Sequence, residues 1–374
     1  MRLYFHIPFC HRKCSYCDFY FTTQIKHQSR FVKALYTELD LRKREWQNKA
    51  IRSIYFGGGT PSYLKTGYLE EILNHLFQHA KIPVNAEITL EANPEDINPD
   101  TLRSWKNAGI NRLSIGIQSF DDGILKLLNR NHNSKTAIQS IELARRYGFD
   151  NINIDLIFGI PGMTSEHWQK QLETFLQLDI PHLSAYALSI ESKTLLQYQI
   201  KKNILRLTPD ECYERQFKLT RQMLLSEAYL HYEISNYAHP GKEARHNTAY
   251  WQGEPYAGFG PAAHSFNGKN LRKFNPPNIH SYMKYMEKHE NFEKFEVLKP
   301  RELYNEYLIT RFRHLVAGVP EAEIARKFPE FFDYFINQAR KLAHQGLLKK
   351  ENGRWLLVEA ALFTSDNILT QLIY

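Results

Sequence analysis

Short apolar or alternating segments recur in the first half of the chain at intervals of one strand plus one helix. The starts of the second to the sixth are separated by 35, 26, 39 and 31 residues, with helix-like patterns between them. That spacing fits repeated βα units, which place parallel strands side by side. It predicts either a barrel of the TIM type or an open doubly wound sheet. The six segments are residues 2–6, 51–56, 86–91, 112–118, 151–158 and 182–188.

Side-chain alternation in three of these segments decides between the two sheets. Polar residues occupy one face of each strand, as in Glu87, Thr89 and Glu91, while isoleucine and leucine occupy the other. A doubly wound sheet is apolar on both faces, whereas a curved sheet can turn a polar face toward an open interior. We therefore expect an α/β fold with a partial, TIM-like (β/α)6 barrel. Glu91, Gln118 and Asp155 would lie at its mouth, where the strands end.

The pattern changes after about residue 190, which indicates further regions. The predicted regions are a barrel at 1–190, an accessory region at 191–298 and a C-terminal domain at 299–374. Within the accessory region, residues 208–228 predict an amphipathic helix, because Thr208-Pro209-Asp210 is a typical helix start. Residues 236–280 are rich in Asn, Gly, Pro and His, and predict loops.

The C-terminal domain shows three helical patterns followed by a hairpin. Apolar residues resume on both sides of an Asn352-Gly353 pair, which is a typical two-residue hairpin turn. Three helices and a hairpin predict a small winged-helix-like domain. The helical stretches are 302–316, 320–328 and 329–346.

Composition and charge narrow the class of protein. Hydrophobic residues make up 43% and charged residues 24% of the chain, as in globular rather than disordered proteins. The net charge of +8 favours an anionic partner such as nucleic acid, an acidic membrane surface or a carboxylate ligand. Residues 1–9 lack the apolar core of a signal peptide, and no apolar run reaches about 18 residues. We therefore expect a reduced, cytoplasmic protein.

The placement of the cysteines is the most specific chemical feature. Three of the four form a C-x3-C-x2-C loop, namely Cys10, Cys14 and Cys17. Three thiolates in one loop can hold three irons of a cubane cluster and leave the fourth iron open. A zinc site completed by His6 or His11 is the alternative, since zinc also takes thiolate and imidazole ligands. The fourth, Cys212, is predicted to be a buried, inert thiol.

A glycine run, Gly57-Gly58-Gly59-Thr60, directly follows the second segment. Glycines let backbone groups approach a small polar ligand, although this run is neither a phosphate loop nor a dinucleotide turn. Together with Tyr4-x-His6-x3-Cys10-x3-Cys14-x2-Cys17, it resembles the radical S-adenosylmethionine (SAM) superfamily, and closely its oxygen-independent coproporphyrinogen III oxidase-like family. The resemblance covers nearly the whole chain.

That resemblance implies a [4Fe-4S] cluster on the three cysteines, whose open iron binds the amino and carboxylate groups of SAM. Arg130 would pair with the ligand carboxylate, because a guanidinium matches a carboxylate well. The residues implied to flank the cluster or SAM are Tyr4, Tyr16, Gly58, Gly59, Thr60, Glu91, Gln118, Arg130, Asp155 and Ala187.

The sequence departs from the oxidase itself after the third cysteine. The oxidase carries a further cysteine two residues later and a longer N-terminal segment, whereas this chain has Phe19 at that position. Both differences favour the sister branch of heme chaperones, which are proposed to bind heme and deliver it to respiratory heme proteins.

A second signature of that branch, H-N-x-x-Y-W, lies in residues 246–251. An imidazole is a good iron ligand, and aromatic rings can cover a porphyrin face. His246, Tyr250 and Trp251 are therefore predicted heme contacts, and His264 is a weaker candidate.

Two other functions stay open at this point. One is radical oxidative decarboxylation of coproporphyrinogen III, and the other is tRNA modification, which the positive charge allows. The winged-helix-like tail could also suggest nucleic-acid binding, but it carries no concentrated basic stripe and no appended RNA-binding module. Whether the chain is an enzyme stays open, as do peripheral membrane association and a homodimer.

Overall fold

The computed structural model describes all 374 residues and contains six parallel strands that neighbour one another in chain order. Their apolar faces form the core: Leu3, Phe5 and Ile7 of the first strand are fully buried. The predicted parallel sheet is confirmed, and each strand lies within two residues of its predicted bounds. The strands are β1 (Arg2–Ile7), β2 (Ser53–Gly58), β3 (Glu87–Ala92), β4 (Arg112–Gln118), β5 (Ile152–Phe158) and β6 (His182–Ala187).

Helices connect these strands and cover their apolar face. Several begin at capped positions, where the side chains of Asn98 and Thr164 accept hydrogen bonds from backbone N–H groups of the first turn. The helices are α1 (Gln28–Leu41), α2 (Lys43–Trp46), α3 (Tyr68–His79), α4 (Pro99–Asn107), α5 (Asp122–Leu127), α6 (Ser134–Arg146) and α7 (Ser165–Gln177).

The barrel is partial, as expected, because the sheet that contains it keeps two free edges and does not close. The polar faces of the strands turn inward, and their C-terminal ends form one mouth. At that end, the pairing of β4 with β5 shifts register between Gly116 and Gln118. Gln118 there has a φ of 67°, a left-handed conformation that non-glycine residues adopt mainly where surrounding structure imposes it.

The accessory region adds strands to both edges of the barrel sheet. The predicted helix at 208–228 is confirmed as α9, but the prediction of loops over 236–280 is wrong. Strands of three or four residues, together with a short helix, occupy much of that stretch. The elements are α8 (Leu195–Lys201), α9 (Asp210–Ser226), β7 (Leu230–Glu233), β8 (Asn236–Ala238), α10 (Arg245–Trp251), β9 (Tyr256–Phe259), β10 (His264–Phe266), β11 (Leu271–Phe274), α11 (Ile279–Glu287) and β12 (Lys294–Val297).

The strand order of the resulting twelve-stranded sheet is β12-β11-β10-β9-β1-β2-β3-β4-β5-β6-β8-β7. On one side β9 pairs in parallel with β1, and on the other β8 pairs antiparallel with β6. The accessory region therefore shares one sheet with the barrel.

The C-terminal region has the expected winged-helix-like arrangement, with a separate three-stranded sheet in the order β13-β15-β14. Asn352 and Gly353 both have positive φ, of 48° and 74°, as the turn of a two-residue hairpin requires. None of the helices in the protein is long and apolar enough to cross a membrane. The elements are α12 (Pro300–Arg313), β13 (Val319–Pro320), α13 (Glu321–Lys327), α14 (Phe332–His344), β14 (Leu348–Glu351), β15 (Arg354–Leu357) and α15 (Ser365–Leu369).

Candidate functional site

The three clustered cysteines lie in the loop after β1 and line a cavity of about 500 Å³ at the barrel mouth. Ser15 anchors this loop, since its backbone N–H donates to Leu128 O at 3.1 Å and its hydroxyl donates to Leu127 O at 2.9 Å. Burial raises the pKa of the Cys10 thiol to about 12. Binding of a metal by this thiol must therefore displace a proton.

The two histidines considered as a fourth zinc ligand have other partners. His6 Nε2 lies 3.0 Å from Tyr20 O, and the Tyr4 hydroxyl lies 3.3 Å from the other ring nitrogen. His11 Nε2 lies 2.8 Å from Asp96 Oδ1. Neither imidazole is free to complete a Cys3His set, and no three His, Cys, Asp or Glu side chains surround a single-ion position. The donor set that remains, three thiols in one loop, fits an iron–sulfur cluster with an open iron.

The glycine run packs directly against the cysteine loop. A Cβ on Gly59 would lie 2.8 Å from the carbonyl oxygen of Ile7, and one on Gly58 would lie 2.6 Å from the His6 ring. Gly58 also has a φ of 107°, which only glycine adopts without strain. These residues therefore let backbone groups form the cavity wall beside the cysteines.

Glu91, near the end of β3, binds this glycine run. Its carboxylate accepts hydrogen bonds from the backbone N–H of Gly58 at 3.1 Å and from the Tyr55 hydroxyl at 2.8 Å. Burial, with a smaller contribution from the nearby Asp155, raises the pKa of Glu91 to about 7. The cavity wall thus carries a carboxylate that a cationic or hydrogen-bonding ligand would shift toward its ionised form.

Arg130 connects the cysteine loop with two strands of the barrel. Its guanidinium donates to Cys14 Sγ at 3.4 Å, and to Asn93 Oδ1 and Gly116 O at 2.6 Å each. Its Nε atom is buried and has no partner. A buried donor without a partner is unfavourable. Arg130 also lines the cavity, where a guanidinium can pair with a ligand carboxylate.

The cavity brings together the cysteines and nearly all of the predicted SAM residues. Tyr4 is the exception: it stacks on Tyr55 behind the cavity wall, with ring centroids 6.1 Å apart. Predicted residues on the wall are Cys10, Cys14, Cys17, Tyr16, Gly58, Gly59, Thr60, Glu91, Gln118, Arg130, Asp155 and Ala187.

Among the residues of this wall that sequence reasoning missed are Asn93 and Tyr186. Asn93 follows Glu91 by two residues, so the alternation of β3 continued by one step would have indicated it. Tyr186 alternates with His182 and Ser184 on β6, a strand to which the alternation was not applied.

The predicted heme contacts lie away from this cavity, on α10. His246 is 0% exposed, and its two ring nitrogens lie 2.8 Å from Ser53 Oγ and 2.7 Å from the Tyr250 hydroxyl. Burial lowers the pKa of His246 to about 3, so its ring is neutral. Neither ring nitrogen of His246 is therefore free for iron in this structure. Ligation by His246 stays a prediction, and it requires one of these two hydrogen bonds to break.

The other two predicted or candidate heme residues have different surroundings. Trp251 packs under the guanidinium of Arg313, whose central carbon lies 4.9 Å from the ring centroid. His264 is exposed and stacks on Phe274. Cys212 is buried, as predicted, and its sulfur accepts a hydrogen bond from Gln216 Nε2 at 3.4 Å.

An open barrel of parallel strands, with a three-cysteine loop after the first strand and a glycine run after the second, defines a radical SAM protein. The model of the Radical SAM superfamily accordingly matches residues 4–175. The fold is shared with the structure of coproporphyrinogen III oxidase, HemN, from Escherichia coli. That similarity has a TM-score of 0.85 at 23% identity and covers 99% of this chain and 89% of HemN.

Sequence comparison places the chain more closely. It is 34% identical to the heme chaperone HemW of Bacillus subtilis, with 92% of each chain covered. It is 32% identical to the heme chaperone HemW of Escherichia coli, with 96% of this chain and 94% of the relative covered. The chain belongs to the HemW family of the radical SAM superfamily.

Proposed function

We propose that the protein is a heme chaperone, which binds heme in the cytoplasm and delivers it to respiratory heme proteins. The observation that carries this proposal is the similarity over almost the full length to relatives named as heme chaperones. Phe19 supports it, because a large apolar side chain, 67% exposed, stands at the cavity mouth where the oxidase carries a further cysteine.

We infer that the cavity holds a [4Fe-4S] cluster on Cys10, Cys14 and Cys17, with SAM beside it. When bound, such a cluster supplies an open iron for SAM and an electron for its reductive cleavage. The chain's part is to position the ligand: the Arg130 guanidinium would pair with its carboxylate, and Gly58 and Gly59 would form the wall beside it. Glu91 offers its carboxylate to polar groups of the ligand.

Iron loading of paired cysteine variants tests the cluster. We expect Cys14→Ala to lose most of the iron and acid-labile sulfide after anaerobic reconstitution, because one of three irons loses its thiolate. The matched control is Cys212→Ala, since this thiol lies away from the cavity and should keep wild-type iron content. Equal iron in both variants would show that the loop does not hold the cluster.

Oxidative decarboxylation of coproporphyrinogen III is a second candidate, since the full-length fold similarity to HemN favours it. One reconstituted sample distinguishes the two functions. We expect a heme absorption band at about one heme per chain, transfer of that heme to an apo-protein acceptor, and no anaerobic turnover of coproporphyrinogen III. Sustained turnover without heme uptake would contradict the chaperone proposal.

A further inference from the structure

Large apolar side chains are exposed on two segments at the cavity mouth, residues 11–27 and 186–207. These segments make up about a tenth of the chain, yet they carry seven of the eighteen exposed large hydrophobic residues. Apolar residues that cluster in this way mark binding surfaces, whereas scattered ones are ordinary. The seven are Phe19, Ile25, Tyr186, Leu195, Tyr198, Ile204 and Leu207.

The two segments are in direct contact, and we call them together the mouth rim. The backbone N–H of Leu196 donates to Ser15 O at 2.9 Å, and Lys13 Nζ lies 3.5 Å from Lys193 O. Both segments also contribute to the cavity wall, for example through Phe19 and Leu188. Residues of 11–21 and 186–191 therefore border a concave opening, and the remaining rim residues, including Tyr198, Lys201 and Lys202, lie beyond its wall.

Positive charge is concentrated on the same rim. Residues 11–27 contain three basic and one acidic residue, and residues 186–207 contain four basic and one acidic residue. The rim thus carries a net +5, more than half of the chain's +8. None of its basic side chains forms an ion pair within the protein, although Arg12 and Lys13 donate hydrogen bonds to neutral groups, so no carboxylate neutralises their charge. They are Arg12, Lys13, Lys26, Lys193, Lys201, Lys202 and Arg206.

We propose that the mouth rim binds the heme, with aromatic and aliphatic side chains against the porphyrin face and basic side chains on its two propionates. A porphyrin is a flat apolar disc with anionic groups on one edge, which matches both the exposed apolar residues and the unpaired charge. The concave setting favours a small disc over a membrane surface, which requires a protruding face. The inference rests on the proposed function and assigns the heme to a place away from His246.

Titration of rim variants with hemin and with metal-free protoporphyrin IX tests this site on the full-length protein. We expect Tyr198→Ser and the double variant Lys201→Glu, Lys202→Glu each to weaken the binding of both porphyrins by roughly tenfold. The first variant removes a contact with the porphyrin face, and the second reverses the charge that faces the propionates. The matched controls are Phe295→Ser and Lys294→Glu on β12, where Phe295 is 72% exposed. Three strands separate β12 from β1 in the sheet, so these controls should bind as the wild type does.

Each outcome has a defined meaning. If wild-type protein takes up no hemin, the proposed function itself fails. If wild-type protein binds hemin and the rim variants bind it equally well, or if only His246→Ala loses binding while it remains folded, the rim proposal is overturned and the chaperone function stands. Loss of binding to vesicles containing phosphatidylglycerol, with hemin affinity unchanged, would identify the rim as a membrane contact and likewise overturn the proposal.

Discussion

The position of Glu91 is set by the local sequence, whereas its chemistry is set by tertiary contacts. Its place on the polar face of β3 follows from a two-residue alternation. Its chemistry follows from contacts with Tyr55 and Gly58, which lie on a different strand. The pKa of about 7 means that the ligand-free protein holds this carboxyl near the midpoint of its titration at neutral pH.

Replacement of Glu91 by glutamine separates binding from stability. We expect Glu91→Gln to bind SAM roughly tenfold more weakly, because a hydrogen bond to a charged group contributes about 1.5–3 kcal/mol. The melting temperature of the ligand-free protein should stay the same or rise, since a desolvated carboxylate is removed. Titration calorimetry and scanning calorimetry measure the two effects, with the exposed Glu330→Gln as the control. Unchanged SAM affinity would contradict the assignment.

The part of the site that could be predicted from the sequence is the part set by strand geometry. Glu91, Gln118 and Asp155 were expected at one mouth, and all three line the cavity, because alternation and strand ends are local properties. Arg130 lies after α5, where no periodic pattern exists, and only the family resemblance indicated it. The burial of His246 could not be predicted, since it depends on Ser53, nearly two hundred residues earlier in the chain.

The helix α10 is an element that could not be predicted from its local sequence. Its seven residues are too few to show a helical period, and the stretch around it is rich in residues typical of loops. What stabilises its first turn is distant in sequence: the buried Glu87 carboxylate accepts the backbone N–H groups of Arg245 at 3.0 Å and His246 at 2.9 Å. A negative charge at a helix N-terminus is favourable.

Glu87→Gln tests whether that carboxylate holds α10 in place. We expect the free energy of unfolding to fall by about 1–3 kcal/mol, because the amide group of glutamine cannot accept both backbone hydrogen bonds. Urea denaturation measures the change, with the exposed Glu290→Gln as a matched control expected to be neutral. A stability equal to that of the control would mean that the helix is held by its packing alone.

At the scale of the whole molecule, the three regions predicted from the sequence follow changes in its pattern, but the first two are not separate in the structure. A single sheet runs through the first two regions, because β8 and β9 cover what would otherwise be the edges of the barrel. Those strands have three and four residues, too short for a visible alternation. The longer helices and hairpin of the last region could be predicted, since their signals lie within the elements themselves.

Four buried histidines make the stability of the protein depend on pH. Burial lowers the pKa of His6 and His231 to about 4 and of His246 to about 3, and lowers that of His182 well below its usual value. All four are neutral in the folded state, whereas the unfolded chain takes up protons near pH 6.5. Their contribution is therefore complete above pH 6.5 and is lost as the pH falls.

We expect the melting temperature of the ligand-free protein to decrease steadily from pH 7 to pH 5. Each such histidine contributes a slope of up to about 1.4 kcal/mol per pH unit well below pH 6.5. Buried carboxyl groups oppose this trend, because a raised carboxyl pKa favours folding at lower pH; they are Glu91, Asp96, Asp155 and Glu233. Burial also lowers the pKa of three further histidines, His75, His264 and His314, which adds to the trend. The His246→Gln variant should show a shallower slope in scanning calorimetry. A flat profile in the wild type would show that these rings gain protons without unfolding.

The pairing of β1 with both β2 and β9 has a consequence for how the protein is made. Arg2 pairs with Tyr256, so one side of the strand that leads into the cysteines has no partner until about two thirds of the chain has left the ribosome. Contacts between such distant parts of a chain form slowly, and unpaired strand edges promote aggregation. Completion of the sheet beside the cysteine loop is thereby tied to the late stages of synthesis.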